Sequence, residues 1–172
     1  MNEPCAFTGH RPQRFPWRYN EKDPRCEALK AVLAEQIGIL IRAGTLDFFS
    51  GMALGVDTWS ASAVITLREK NPAIKLHCVL PCEKQEIKWS FAARETYYRI
   101  LKQADSIQYV SRYYHNGCMM ERNRQLVDLS SVLLAVYNGQ PSGGTAATIR
   151  YAREQKKRIL CIDPISLAVT EE

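Results

Sequence analysis

The sequence predicts an α/β fold: a Rossmann-like three-layer α/β/α sandwich on a mostly parallel sheet of about six strands. Three observations carry this expectation. Short apolar runs rich in Val, Ile, Leu, Phe or Tyr recur along the chain, each bounded by Gly, Pro, Asn or Ser, as buried strands are. Longer segments with apolar residues spaced three and four apart lie between them. The two kinds alternate, and strands joined through helices run parallel in a sheet covered on both faces.

The strands are expected at CAFTG (5–9), LDFFSG (46–51), KLHCVLP (75–81), SIQYVS (106–111), SVLLAVYN (131–138) and RILCIDP (158–164), all read as buried. The first helix is expected over 25–43, where Leu29, Val32, Leu33, Ile37, Leu40 and Ile41 make one apolar stripe. Further helices are expected over 56–70, 89–104, 119–129 and 143–155. His10 to Asp23 (HRPQRFPWRYNEKD) is the longest irregular stretch, and a loop of that length is either functional or poorly ordered. Pro81 to Lys88 is the second such loop. No repeat or linker interrupts the pattern, so a single domain over 1–172 is expected.

Composition narrows the function classes. The chain has 172 residues, 46% of them hydrophobic and 24% charged, enough for one sizeable core and too apolar for a disordered chain. No apolar run reaches the ~18–20 residues of a membrane span. The start, MNEPCAFTGHRPQRF, lacks the basic and apolar regions of a secretory signal, so a cytoplasmic protein is expected. With 23 Lys+Arg against 18 Asp+Glu the net charge is +5, and it is scattered, which disfavours nucleic acid as a partner. Cys5, Cys26, Cys78, Cys82, Cys118 and Cys161 are expected as free thiols in a reducing compartment. A zinc set from His77, Cys78, Cys82, His115 and Cys118 has no Cys-x-x-Cys pair, and His77 and Cys78 would face opposite sides of a strand, so no metal site is expected.

In open parallel sheets ligands bind beyond the carboxyl ends of the strands. That rule selects Thr8-Gly9-His10-Arg11, Ser50 to Asp57, Pro81-Cys82-Glu83, and Asn138 to Thr145. Ser142-Gly143-Gly144-Thr145 opens a helix, where exposed backbone N–H groups and the helix dipole favour an anion. A plain helix cap by Ser142 or Thr145 explains the same residues. Gly51 and Gly55 fit neither the dinucleotide fingerprint nor the P-loop; they would let a ribose or base lie against the backbone, with Asp57 accepting from sugar hydroxyls. Asp57 equally suits the first turn of a helix.

Arg122 and Arg124 cannot share a helical face, so one at most points to the cleft. Trp59 and Trp89 are expected to pack rather than stack on a ligand. Neither a nucleophile elbow nor a triad is legible around His10, His77 or His115. Glu83 and Glu86 are the remaining carboxylates expected on the cleft side; a carboxylate pair could act on a glycosidic bond, although solvated loop charges explain them as well.

Taken in order, Thr8-Gly9-His10-Arg11-Pro12, Ser50-Gly51-x-x-x-Gly55-Val56-Asp57, Pro81-Cys82-Glu83-x-Gln85-Glu86-x-x-Trp89, Arg122-Asn123-Arg124 and Ser142-Gly143-Gly144-Thr145 resemble the SLOG superfamily, most closely its YpsA-like bacterial members. The resemblance spans nearly the whole chain and implies a Rossmann-like fold that binds nucleotides or ADP-ribose-like ligands. Read with the loops at the strand ends, ligand contacts are expected from Thr8, Gly9, Gly51, Gly55, Asp57, Arg122, Asn123, Ser142, Gly143, Gly144 and Thr145. DNA-processing relatives share similar glycine and Arg-Asn-Arg segments and bind single-stranded DNA. The LOG-type hydrolases carry Pro-Gly-Gly-x-Gly-Thr-x-x-Glu; here Gly144 and Thr145 match, the paired glycines fall on Pro141 and Ser142, and the glutamate falls on Thr148.

The leading expectation is therefore a regulatory protein binding a nucleotide or nucleotide-sugar, with no required cofactor and an output through a partner protein. Homo-oligomerisation is left open. The alternatives are an N-glycosidic hydrolase using Glu83 or Asp57, and a single-stranded DNA-binding domain.

Overall fold

The computed structural model describes residues 2–172. Six strands and five helices alternate in the expected order and a seventh strand follows: β1 (Cys5–Gly9), α1 (Pro24–Arg42), β2 (Asp47–Ser50), α2 (Val56–Arg68), β3 (Lys75–Leu80), α3 (Phe91–Gln103), β4 (Ser106–Tyr109), α4 (Cys118–Asp128), β5 (Val132–Val136), α5 (Gly144–Glu154), β6 (Arg158–Ile162) and β7 (Val169–Glu171). They form one sheet in the order β4-β3-β2-β1-β5-β6-β7, parallel except for β7. The chain steps outward from β1 to β4, then returns through α4 to place β5 on the other side of β1. The strand order thus reverses between β1 and β5, where an α/β sheet opens a crevice.

The crossovers place α1, α2 and α3 on one face and α4 and α5 on the other. Each face seals its own core. Phe7, Phe48, Leu29, Leu33, Val64 and Leu76 pack on the first; Ala6, Leu133, Ala135, Leu126 and Ile149 on the second. β1 and β5 sit centrally and are buried along almost their whole length, so their ends are held firmly under the crevice.

Two expectations are corrected. All four residues of β4 are exposed, because it is the sheet edge and only β3 pairs with it. A seventh strand, β7, runs antiparallel beside β6; its short polar sequence Val-Thr-Glu carries no apolar run to announce it.

The long loop after β1 is packed. Pro12–Arg14 make a 3-10 turn, and Phe15 and Trp17 are buried, their rings stacked at 4.8 Å. Phe15 also stacks on Trp59 at 5.8 Å, so Trp59 belongs to the core, and Trp89 lies edge-on to Tyr97 at 5.3 Å. All six cysteines are free thiols. Burial pushes the Cys5 and Cys78 thiols up to about 12. No helix among the described residues is long and apolar enough to cross a membrane.

Candidate functional site

The five helices begin in two different ways. Asp23 caps α1 by accepting from Arg25 N at 2.9 Å, and Ser90 caps α3 by accepting from Ala93 N at 3.2 Å. At α2, α4 and α5 the capping residue is a glycine with positive φ: Gly55 (100°), Gly117 (91°) and Gly143 (103°), and no side chain takes the first N–H groups. A residue with a Cβ rarely adopts that backbone, so glycine is what lets the chain enter these helices so abruptly. Ser142 and Thr145 therefore do not cap α5, contrary to the simpler reading of that cluster.

The three uncapped helices start at the same cleft, of about 510 Å³, over the carboxyl ends of β1 and β5. Unsatisfied N–H groups and aligned helix dipoles give such a place a positive potential. Arg11, Arg14 and Arg122 line it against a single carboxylate, Asp57.

Most of the sequence-selected residues do converge here. Thr8, Gly9, Asp57, Arg122, Asn123, Ser142, Gly143, Gly144 and Thr145 all line the cleft. The structure corrects the placement of four others. Gly51 does not line it: a Cβ there would lie 2.6 Å from Arg122 Nη1, so its lack of a side chain makes room for that guanidinium. Gly55 faces Pro12 Cδ, 3.1 Å from where its Cβ would stand, and closes the turn against the 10–12 segment. Glu83 is exposed outside the cleft, where its backbone N donates to Arg112 O at 3.2 Å, because the 81–88 loop follows β3, two strands away from the crevice. Glu86 is buried outside it as well, accepting from Tyr98 Oη at 2.7 Å.

Arg122 is the most unusual member. It sits on α4 with 2% of its surface exposed. Nη1 donates to Gly51 O at 2.5 Å and Nε to Asn123 Oδ1 at 2.8 Å, whereas Nη2 reaches only Met119 Sδ at 3.9 Å. A buried guanidinium with one nitrogen lacking an oxygen partner is costly unless something else supplies it. Burial pushes its pKa down, opposed by the negative charge of Asp57. Burial pushes the Asp57 carboxyl up, opposed by Arg122 and by the Ala53 N–H that donates to Oδ2 at 3.1 Å. Arg124, two residues on, is exposed and lies over the Tyr151 ring.

Arg14 was not singled out by any motif. It donates to Gln140 Oε1 at 2.8 Å and lies over the α5 entrance, its Nη2 2.8 Å from where a Gly143 Cβ would stand. The only pointer to it in the sequence is its place in the long loop after β1. His10 also escaped notice as a structural clamp: its ring joins the ends of β1 and β5 through Asn138, at 3.0 Å from Oδ1 and 3.2 Å from the backbone N. Burial holds its pKa down, and Arg14 adds to the effect. At the position of the LOG-type glutamate, Thr148 is buried and its hydroxyl donates to Gly144 O of its own helix at 2.7 Å.

The histidines and cysteines are dispersed. His77 bonds Asp47 at 2.8 Å and Ser106 at 2.7 Å, while Cys78 is buried in the core on the other side of the strand. Among the described residues no three His, Cys, Asp or Glu side chains are placed to hold a metal.

A family model described as the YspA SLOG family matches residues 5–167. The UPF0398 protein of Bacillus pumilus (strain SAFR-032) is 30% identical over 149 residues, covering 86% of this chain and 80% of that protein. The UPF0398 protein of Halalkalibacterium halodurans is 30% identical over 132 residues, covering 76% and 70%. Among solved structures, DNA processing protein A from Helicobacter pylori, described for its single-stranded DNA binding mode, superposes with a TM-score of 0.62 at 16% identity. That match covers 95% of this chain and 66% of the other, and at this identity it speaks for the fold.

Proposed function

Because this chain belongs to the YspA SLOG family, we propose that its cleft binds a nucleotide or nucleotide-sugar of the ADP-ribose class and that the protein acts by responding to that ligand. One observation carries the reading: three helix N-termini without side-chain caps and three arginines surround one cleft that holds a single carboxylate. Phosphate groups would take the N–H groups of Gly143, Gly144 and Thr145 beneath Arg14, and the free edge of Arg122 would pair with a second negative charge. Thr8 and Asp57 would accept or donate on the sugar side.

Binding is favoured over hydrolysis by the carboxylate count. Asp57 is the one carboxylate on the cleft, with one oxygen already bonded to Ala53 N, and Glu83 lies elsewhere. Thr148 cannot replace a glutamate that stabilises charge on a ribose, since its hydroxyl is tied to its own helix. Single-stranded DNA is a second reading, supported by the arginines of the cleft and by the fold shared with the DNA-processing protein.

A thermal-shift series with AMP, ADP, ADP-ribose and NAD tests the proposal. A ligand at 100 times its Kd adds about 2.7 kcal/mol, enough to raise Tm by several degrees. No stabilisation by any of the four, alongside tight binding of oligonucleotide that weakens steeply with salt, would overturn it in favour of the second reading.

A further inference from the structure

A hollow larger than the cleft lies beside it. A groove of about 790 Å³ runs between α2 and α3 on the opposite side of the Pro12–Arg14 turn, so that Pro12 lines the groove while Arg11 and Arg14 line the cleft. Its lining includes small side chains, Ala63 of α2 and Ala92, Ala93 and Thr96 of α3, together with Trp59 and Trp89. Next in sequence to the lining residues Lys88 and Ala92, Ile87 in the loop before α3 and Phe91 at its start are 59% and 69% exposed. An apolar trough between two helices, continued by exposed apolar residues, is the shape into which an amphipathic helix lays its large side chains.

Charge selects the occupant. Arg18, Lys88 and Arg99 line the groove and form no ion pair among the described residues. The one carboxylate lining it, Glu21, is already used: it accepts from Lys30 at 2.6 Å and from Trp59 Nε1 at 3.1 Å. Nor is Trp59 a free stacking surface, because Phe15 stacks on it and the Lys30 ammonium lies over its ring at 5.3 Å. A nucleic acid strand would meet the cations and the exposed Tyr19 ring but leave the apolar trough between the helices unfilled, whereas a protein segment with carboxylates around large apolar side chains satisfies both features.

We propose that the α2–α3 groove docks an acidic amphipathic segment of a partner protein, its apolar side chains entering between the helices and its carboxylates meeting Arg18, Lys88 and Arg99. This does not depend on what the cleft binds.

The test measures fluorescence anisotropy of a labelled synthetic Leu/Glu amphipathic helix with the full chain, against the Leu/Lys counterpart. The acidic peptide binds and the basic one does not. Affinity drops about tenfold or more in Lys88→Glu/Arg99→Glu, and also in Ala92→Trp, which fills the trough without changing charge. Gly144→Ala, on the far side of the Pro12 turn, leaves the peptide affinity unchanged, so failure of the cleft reading and of this one are told apart. Circular dichroism verifies that each variant is folded. Equal binding of both peptides, acidic-peptide affinity indifferent to both groove variants, or displacement of the peptide by oligo-dT in place of an acidic competitor would each overturn the proposal.

Discussion

Gly51 and Arg122 are matched across 71 residues of sequence: the Gly51 carbonyl accepts from Arg122 Nη1 at 2.5 Å, and the missing Gly51 side chain is the space the guanidinium occupies. A methyl group at position 51 would meet three guanidinium-end atoms of Arg122 at 2.6–2.8 Å. The arginine cannot swing clear, since it is 2% exposed and held at Nε as well. Gly51→Ala is therefore expected to cost about 1–3 kcal/mol, the range for overpacked cores, read as a lower urea midpoint at unchanged slope. A variant as stable as the native chain would show that Arg122 is more mobile than its contacts indicate.

Arg122 and Asp57 share one buried electrostatic environment. Arg122→Met leaves the buried Asp57 carboxylate without its neighbouring positive charge and the Gly51 carbonyl with Gln85 Nε2 alone, at 3.2 Å, a loss expected at about 1–3 kcal/mol. Asp57→Asn keeps an oxygen for the Ala53 N–H and removes the charge. The double variant should be more stable than the sum of the two losses, and a double-mutant cycle measures the coupling. Strict additivity would mean the two charges do not feel each other.

The two cradle glycines separate binding from folding. A Gly144 Cβ meets nothing within 4 Å, and Gly144 is the first residue of α5, so Gly144→Ala should fold as well as or slightly better than the native chain. Its methyl group would stand among the N–H groups assigned to phosphate, and nucleotide affinity should fall at least several-fold by calorimetry. Gly143→Ala should weaken binding further and lose stability too, because φ is 103° and Arg14 must move. Full nucleotide affinity in folded Gly144→Ala removes α5 from the site.

Stability should fall on mild acidification through His10. Burial holds its folded pKa below the ordinary 6.5, so the unfolded chain takes up the proton more readily. Stability contributed by the neutral ring is present above 6.5 and is lost as pH drops from there toward the folded value. The strand ends that His10 joins, at β1 and β5, carry the cleft. Urea unfolding at pH 7.5 and 5.5 should show a decline that His10→Gln reduces. An identical decline in that variant points to another group.

Cys5 and Cys78, raised to about 12 by burial, should resist alkylation in the folded chain and react on unfolding. Mass spectrometry after iodoacetamide treatment reads this directly.

Helices and central strands were legible in the sequence because their signal is local. Apolar spacing in α1 or the apolar run of β5 reflects burial of those same residues, and the observed bounds differ from the expected ones by a few residues at most. The edge strands were misread or missed for the same reason: β4 is apolar enough to look buried, and only its position as the last strand exposes it.

The cleft was half legible. Glycines at strand ends marked the junctions correctly, because an abrupt turn into a helix needs a particular residue at a particular place. What sequence alone left undetermined is which junctions meet. Gly51 and Arg122, or Arg14 and Gly143, are brought together only by the reversal of strand order between β1 and β5, which places four distant loops over two strand ends. Local spacing determines how each segment folds; whether a glycine receives a ligand or makes room for an arginine depends on contacts between segments far apart in the chain, and only packing decides those.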